Sequence, residues 1–236
     1  NNIMSLPVIN TPTYELEVPS TKEKLTYRPF LVKEEKLLLI AMEDGEELNI
    51  IRAVRQIVTN CTFEKVDASG IPMFDLEYIF LRIRAKSVGE VSTVNLLCPD
   101  DEKTYVPVDI PLEEVNVKFT DDHTNKISLT DEIMVEMKYP TFEMVQKLGD
   151  AKAGQVFTLV SQCVDRIYDG EQIHERGDFT QKDLETFLDS LNTKQFESIQ
   201  QFFSTMPKLS HEVNYTNPKT KKKHKVTLEG MQSFFG

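Results

Sequence analysis

The chain of 236 residues is long enough for one large domain or two modest ones, and its 40% apolar residues, 14 Phe among them, supply a core. A formal net charge of −11 argues against general nucleic-acid binding, which needs a cationic face, and favours association with basic or apolar protein surfaces. No apolar stretch approaches the length of a membrane span, and Asn1 to Asn10 lacks the basic and apolar regions of a signal peptide, so a soluble cytoplasmic protein is expected.

In chain order, Pro7, Pro12 and Pro19 forbid an early helix. Tyr14, Leu16 and Val18 alternate with Glu15 and Glu17, and Leu25-Thr26-Tyr27 follows a polar turn, which predicts a β-hairpin. A helix is expected over Lys33 to Asp44, with Leu37, Leu38, Ile40 and Ala41 and a stop at Gly45. Leu48, Ile51, Val54 and Val58 repeat at helical spacing and predict its antiparallel partner. Met73 to Lys86 reads as a helix apolar almost all round, hence central, with Asp75 and Glu77 early and Arg82, Arg84 and Lys86 late, as the helix dipole favours.

From Val91 to Ile133 the period changes to that of strands. Val94 to Leu97 precedes a turn at Cys98-Pro99-Asp100-Asp101, and Tyr105 to Ile110 follows it. Val115 to Phe119 and Ile133 to Tyr139 alternate as further strands. Thr141 caps a short helix bearing Phe142, Val145 and Leu148, with Gly149 as its stop. Val156, Leu159, Val160, Cys163, Val164 and Ile167 form a stripe that predicts an amphipathic helix. Thr180 and Asp183 match a capping box, with Phe179 and Leu184 as the staple around it. Asn192-Thr193 starts another helix, halted by Pro207. Glu212 to Tyr215 and Lys225 to Leu228 are the last strands, joined through Asn217-Pro218-Lys219-Thr220.

Val94 to Pro99 is echoed by Val213 to Pro218, each followed by a polar turn and a second strand. The expected class is therefore α+β, with helical blocks alternating with antiparallel β-hairpins. The blocks are residues 1–90 (hairpin plus helices), 91–140 (β-hairpin region), 141–208 (helices) and 209–236 (hairpin plus a Phe-Phe tail).

Catalytic and ligand motifs are missing. Asp165 to Arg176 mimics an EF-hand loop, but Ile167 and Arg176 stand where calcium requires oxygens, so a helix end and tight turn are expected there. Cys61, Cys98 and Cys163 form no CxxC, and His123, His174, His211 and His224 form no HExxH. His211 and His224 share one hairpin, yet two ligands do not define a metal site. No nucleophile elbow, P-loop or dinucleotide fingerprint occurs. The expectation is a protein with no catalytic residue, no cofactor and no metal.

The candidates that remain are for protein docking: Lys219, Lys221, Lys222, Lys223 and Lys225 in one basic cluster at a hairpin tip, and Met231, Phe234 and Phe235 near the end. The lysines suit a solvated tip that discourages edge pairing, or a contact with an acidic protein surface. The phenylalanines either fold back onto the core or anchor a partner.

Three stretches carry a family likeness. Leu16-Glu17-Val18-Pro19-Ser20 through Tyr27-Arg28-Pro29-Phe30-Leu31-Val32-Lys33 resembles the opening of the base plate hub proteins of T-even-type bacteriophages. Phe74-Asp75-Leu76-Glu77-Tyr78 through Ala85-Lys86-Ser87-Val88-Gly89-Glu90 resembles their central motif, and Leu228 to Phe235 their ending. The resemblance implies a late, non-enzymatic component of a contractile myovirus tail, a hub subunit or hub assembly protein. Its implied partners are hub, tail tube or tape-measure proteins, with homo-oligomerisation compatible and no nucleic acid. It implies assembly in the host cytoplasm and a place in the virion base plate, or else a transient chaperone that leaves before the virion is complete.

Overall fold

The computed structural model describes residues 6–148 and 155–235. The chain opens with β1 (Tyr14–Glu17) and β2 (Lys24–Tyr27), paired antiparallel with Leu16 opposite Leu25. Both leucines are buried, so the alternation seen in the sequence places one face of the hairpin on the core.

The helices α1 (Val32–Asp44) and α2 (Glu47–Cys61) follow as the expected pair, with Gly45 at φ 72 taking the left-handed position that ends α1. The inward face of α1 is narrower than its apolar content suggests. Leu38 and Ala41 are buried, whereas Val32, Leu39 and Ile40 are exposed. Glu34 is fully buried at the start of α1. Its carboxylate meets Arg28 Nη2 at 2.7 Å and accepts the Leu31 N–H at 2.7 Å. Burial alone would raise the Glu34 pKa, but Arg28 and that N–H outweigh it and hold the carboxyl below its ordinary range.

The third helix, α3 (Met73–Ser87), is the centre of the molecule. Leu76, Ile79, Phe80, Leu81 and Ile83 are completely buried, as expected for a helix without a polar face. Its buried Asp75 and Arg82 and its half-buried Arg84 have specific partners. Asp75 accepts hydrogen bonds from the N–H and hydroxyl of Ser20, and Arg82 Nη1 donates to Leu112 O at 2.6 Å. Arg84 Nη1 donates to Phe234 O at 2.8 Å.

Next come β3 (Val91–Leu97) and β4 (Tyr105–Pro111), an antiparallel hairpin, and β5 (Asn116–Lys118). The chain then builds a second unit from β6 (Lys126–Ser128), β7 (Ile133–Met137), α4 (Phe142–Leu148), α5 (Gln155–Gln162), β8 (Val164–Asp169), β9 (Gln172–Glu175), α6 (Gln181–Asp189) and α7 (Thr193–Thr205). Its four strands form one antiparallel sheet in the order β6-β7-β8-β9. The chain finally returns through β10 (Lys208–Thr216) and β11 (Lys223–Glu229), in a sheet ordered β11-β10-β5, to a 3-10 turn over Met231–Phe234. The class is α+β.

One expected helix is corrected. The stripe from Val156 to Ile167 is helical only to Gln162, and Val164 onward is strand β8. β7 supplies a partner for these backbone groups, with Val135 opposite Ile167, and Gly170-Glu171 turns β8 onto β9 with Gly170 at φ 60. The region resembling an EF-hand is thus a hairpin turn between strands rather than the end of a helix. Gly149, expected to stop α4, lies outside the described residues. The Thr180–Asp183 capping box is present: Asp183 N–H donates to Thr180 Oγ1 at 3.1 Å and Thr180 N–H to Asp183 Oδ2 at 2.8 Å.

Packing groups the four sequence blocks into two cores. The first contains β1–β2, α1–α3, β3–β4 and the returning C-terminal segment; the second contains β6–β8 with α5–α7, and β9 extends its sheet at the edge. Tyr139 joins them. Its ring packs edge-on against Phe74 of α3 at 5.2 Å and stacks on Phe202 of α7 at 5.4 Å, while its hydroxyl meets His123 Nε2 at 2.9 Å. His123 also meets Thr205 Oγ1 at 2.9 Å, and burial lowers its pKa, which favours the uncharged ring.

Glu77 lies on α3 beside the returning chain and accepts the Met231 N–H. Burial pushes its carboxyl up from an ordinary 4.5 to about 7, with Glu47 adding repulsion. Its ionisation opposes folding, so its contribution falls as pH rises from 4.5 and is lowest above about 7. Lowering the pH from about 8 to about 6 should therefore raise unfolding stability by about 1 kcal/mol through this group. Glu77→Gln should flatten that dependence in urea titrations and exceed the parent in stability at about pH 8.

Candidate functional site

The functional candidates converge on the tips of two hairpins that are distant in sequence. Both turns place proline after their first residue, Cys98-Pro99 and Asn217-Pro218, which presets the backbone for a tight reversal. In the first, Cys98 N–H donates to Thr104 O at 2.8 Å and Glu102 N–H to Cys98 O at 3.0 Å. In the second, Asn217 N–H donates to Lys222 O and Lys221 N–H to Asn217 O, both at 2.9 Å. Glu102 (φ 53) and Lys221 (φ 65) occupy the matching left-handed position. The β1–β2 turn repeats this arrangement, with Val18 before Pro19 and Lys22 at φ 63. The sequence echo between the later hairpins therefore has a counterpart in their turn geometry.

The two tips are clamped together. Asp100 Oδ1 meets His224 Nε2 at 2.7 Å, and Asp100 Oδ2 accepts from Thr220 Oγ1 at 2.6 Å. Asn217 is fully buried and donates from Nδ2 to Asp100 Oδ1 at 3.1 Å and to Asp101 Oδ2 at 3.0 Å. Its own Oδ1 accepts the Lys219 N–H at 2.9 Å, so the amide serves both turns. Tyr215 adds a hydroxyl bond to Leu97 O at 3.2 Å.

These contacts set the local electrostatics. The Thr220 hydroxyl, with Asn217 and His224, holds the Asp100 carboxyl below its ordinary range against the effect of burial. Thr104, through side chain and backbone, and then Asn217 do the same for Asp101. Cys98 is fully buried, and burial together with the Asp100 and Asp101 carboxylates pushes its thiol up. Cys98, Asp100 and His224 bring three potential ligand atoms within 4.8 Å of one another. Sequence spacing offered no sign of this cluster, because its members come from different hairpins. The available signal was the echo of the two X-Pro turns.

Lys219, Lys221, Lys222, Lys223 and Lys225 are all exposed on the β10–β11 hairpin. Only Lys225 among them has an ion-pair partner, Glu212 at 3.1 Å, and both side chains are well solvated, so the pair adds little. Met231, Phe234 and Phe235 lie elsewhere, against α3. Met231 and Phe234 are buried, and Phe234 O accepts from both Arg84 Nη1 and Ser92 Oγ, the latter at 2.7 Å. Phe235 packs edge-on against Phe80 at 6.0 Å and lies under the Arg84 guanidinium at 5.3 Å. Of the two roles open to this segment, the structure has it folded onto the core, and Met231 and Phe234 present no docking surface.

A surface the candidates omitted is the outer side of α1, where Val32 (66%), Leu39 (53%) and Ile40 (66%) are exposed. The run Leu37-Leu38-Leu39-Ile40 was its sequence signal, since four consecutive residues cannot all face one side of a helix. No helix among the described residues is long and apolar enough to cross a membrane.

The family model described as T4 bacteriophage base plate protein matches residues 11–236. No curated protein and no solved structure matches the chain.

Two substitutions separate the clamp from the core. Asp100→Ala should leave the fold intact while amide exchange in 98–104 and 217–222 accelerates by at least about tenfold in hydrogen-exchange mass spectrometry. Phe234→Ala should lower global stability by about 3–5 kcal/mol in denaturant unfolding, as expected for a fully buried aromatic.

Proposed function

The chain belongs to the T4 bacteriophage base plate protein family, and from that premise we propose that it acts as a non-enzymatic subunit or assembly protein of the tail hub, docking to other tail proteins through the clamped hairpin tips. Membership supports a structural role in a phage base plate and implies contact with other tail proteins. The observation that supports the docking route is the tip itself. Five exposed lysines lie along the turn and the start of β11, on a hairpin tip whose geometry is held by a buried Asn217 and two carboxylates of a second hairpin. Such a tip presents several cations at low ordering cost, which suits an acidic surface on a hub, tail tube or tape-measure protein.

The net charge of −11 concentrates the attraction on this tip, because the rest of the molecule repels an acidic partner. The apolar outer side of α1 is a second contact region in this reading, the lysines steering encounter and the apolar residues lengthening residence. Assembly takes place in the host cytoplasm, before or during joining of the hub. The alternative is a transient chaperone of the hub or tape-measure protein, which would use the same surfaces and then leave.

Quantitative mass spectrometry of purified virions distinguishes the two: a fixed copy number per tail supports a subunit, and absence from virions supports a chaperone. Reversing Lys219, Lys221, Lys222 and Lys223 to Glu should leave the far-UV spectrum and melting temperature essentially unchanged, because these side chains are exposed. The same variant should reduce incorporation into base plates at least about tenfold, through lost steering and contact. Normal incorporation of the folded variant would exclude the lysine tip as the docking element.

A further inference from the structure

We propose that the joined hairpin tips bind a divalent transition-metal ion of the zinc class through Cys98 Sγ, the Asp100 carboxylate and His224 Nε2. The inference stands apart from the docking reading, since it rests on the interior of the clamp and not on the lysines around it.

The geometry is close to that of a bound site. Ligand atoms around a tetrahedral zinc ion stand roughly 3–4 Å apart, given metal–ligand bonds of about 2.0–2.3 Å. Here the three atoms already lie within 4.8 Å of one another, so small side-chain rotations bring them to one centre. The Asp100 Oδ1 to His224 Nε2 contact of 2.7 Å is the arrangement two ligands adopt when they share a proton in place of a metal. An ion entering there displaces that contact: the proton of the neutral imidazole passes from Nε2 to Nδ1, Nε2 and the Asp100 carboxylate turn to the ion, and the Cys98 thiol becomes a thiolate, releasing its proton to solvent.

The donor set selects the metal class. One sulfur, one imidazole and one carboxylate suit zinc and its neighbours, whereas calcium and magnesium need oxygen ligands throughout. Three protein ligands leave a fourth position for water. Asp101 is less suited to fill it, because its carboxylate is taken up by the Lys103 and Thr104 amides, the Thr104 hydroxyl and Asn217.

The supporting contacts resemble those that orient metal ligands. Thr220 Oγ1 and Asn217 Nδ2 hold the Asp100 carboxylate, and the Cys98 backbone is fixed by Thr104 and Glu102. Cys98 itself is fully buried while Asp100 and His224 are partly accessible, which protects the sulfur and leaves an entry path. Because the ligands come from both hairpins, the ion would cross-link segments that the chain joins only through the whole second core. Charge also favours occupancy: the site holds two carboxylates and a thiolate, and the nearby lysine heads are free to turn into solvent.

Cobalt(II) is the probe, because a cobalt–thiolate bond gives a near-ultraviolet charge-transfer band and four-coordination gives intense visible bands. The reduced, metal-free full chain should take up one cobalt ion with both signatures, and zinc should displace it and raise the melting temperature. Cys98→Ser should abolish the charge-transfer band, and Cys163→Ser, in the other core, should retain it. His224→Gln keeps the sulfur and should weaken binding by at least about tenfold, which carries the test if Cys98→Ser does not fold. A folded parent chain without the charge-transfer band, a band that survives in Cys98→Ser, or unchanged affinity in His224→Gln would each overturn the proposal.

Discussion

Desolvation of α3 is the constraint on which the rest of the molecule depends. A helix with Leu76, Ile79, Phe80, Leu81 and Ile83 fully buried cannot be satisfied by one neighbour. It needs cover on every side, and the chain supplies it from both ends: β1–β2 and α2 from the N-terminal part, β10 and the Met231–Phe234 turn from the C-terminal part. The polar groups of α3 then determine where each piece settles, because a buried charge without partners costs several kcal/mol. Asp75 takes the Ser20 turn, Arg82 the Leu112 carbonyl and Arg84 the Phe234 carbonyl. Apolar burial supplies the driving force, and these bonds supply the register.

The same logic separates structural from presented surface at the two later hairpins. Their roots are buried against the first core through Val94, Ile110 and Val213. Their tips hold one another through Asp100, Asp101, Asn217, Thr220 and His224. Rigidity at the tip comes from this internal network, so the lysines need no partners within the chain and remain available. The Tyr139 joint behaves differently: aromatic stacking links the two cores there, and burial favours the uncharged form of His123.

Local signals with short range were legible in the residues. The alternation at Tyr14 to Val18, the all-apolar Phe74 to Ile83, the Thr180–Asp183 capping box and the halt before Pro207 each depend on contacts within a few positions. Each appears in the structure within a residue or two of its expected place. Where a distant segment competes for the backbone, the local period no longer decides the structure. Val156 to Ile167 satisfies a helical period throughout, but the edge of β7 offered Val164 onward a hydrogen-bonded partner, and sheet pairing prevailed over the local pattern.

By itself, therefore, the sequence determined the α+β class, the central place of α3, the paired X-Pro hairpins and a lysine cluster at one tip. These follow from side-chain period, turn chemistry and charge, which are properties of neighbouring residues. Only the tertiary structure decided that Met231 and Phe234 belong to the core, that α1 turns Val32, Leu39 and Ile40 outward, and that Cys98 and Asp100 meet His224. Those outcomes are set by which surfaces cover α3 and by how two hairpins cross in space, and neither is encoded in the spacing of residues along the chain.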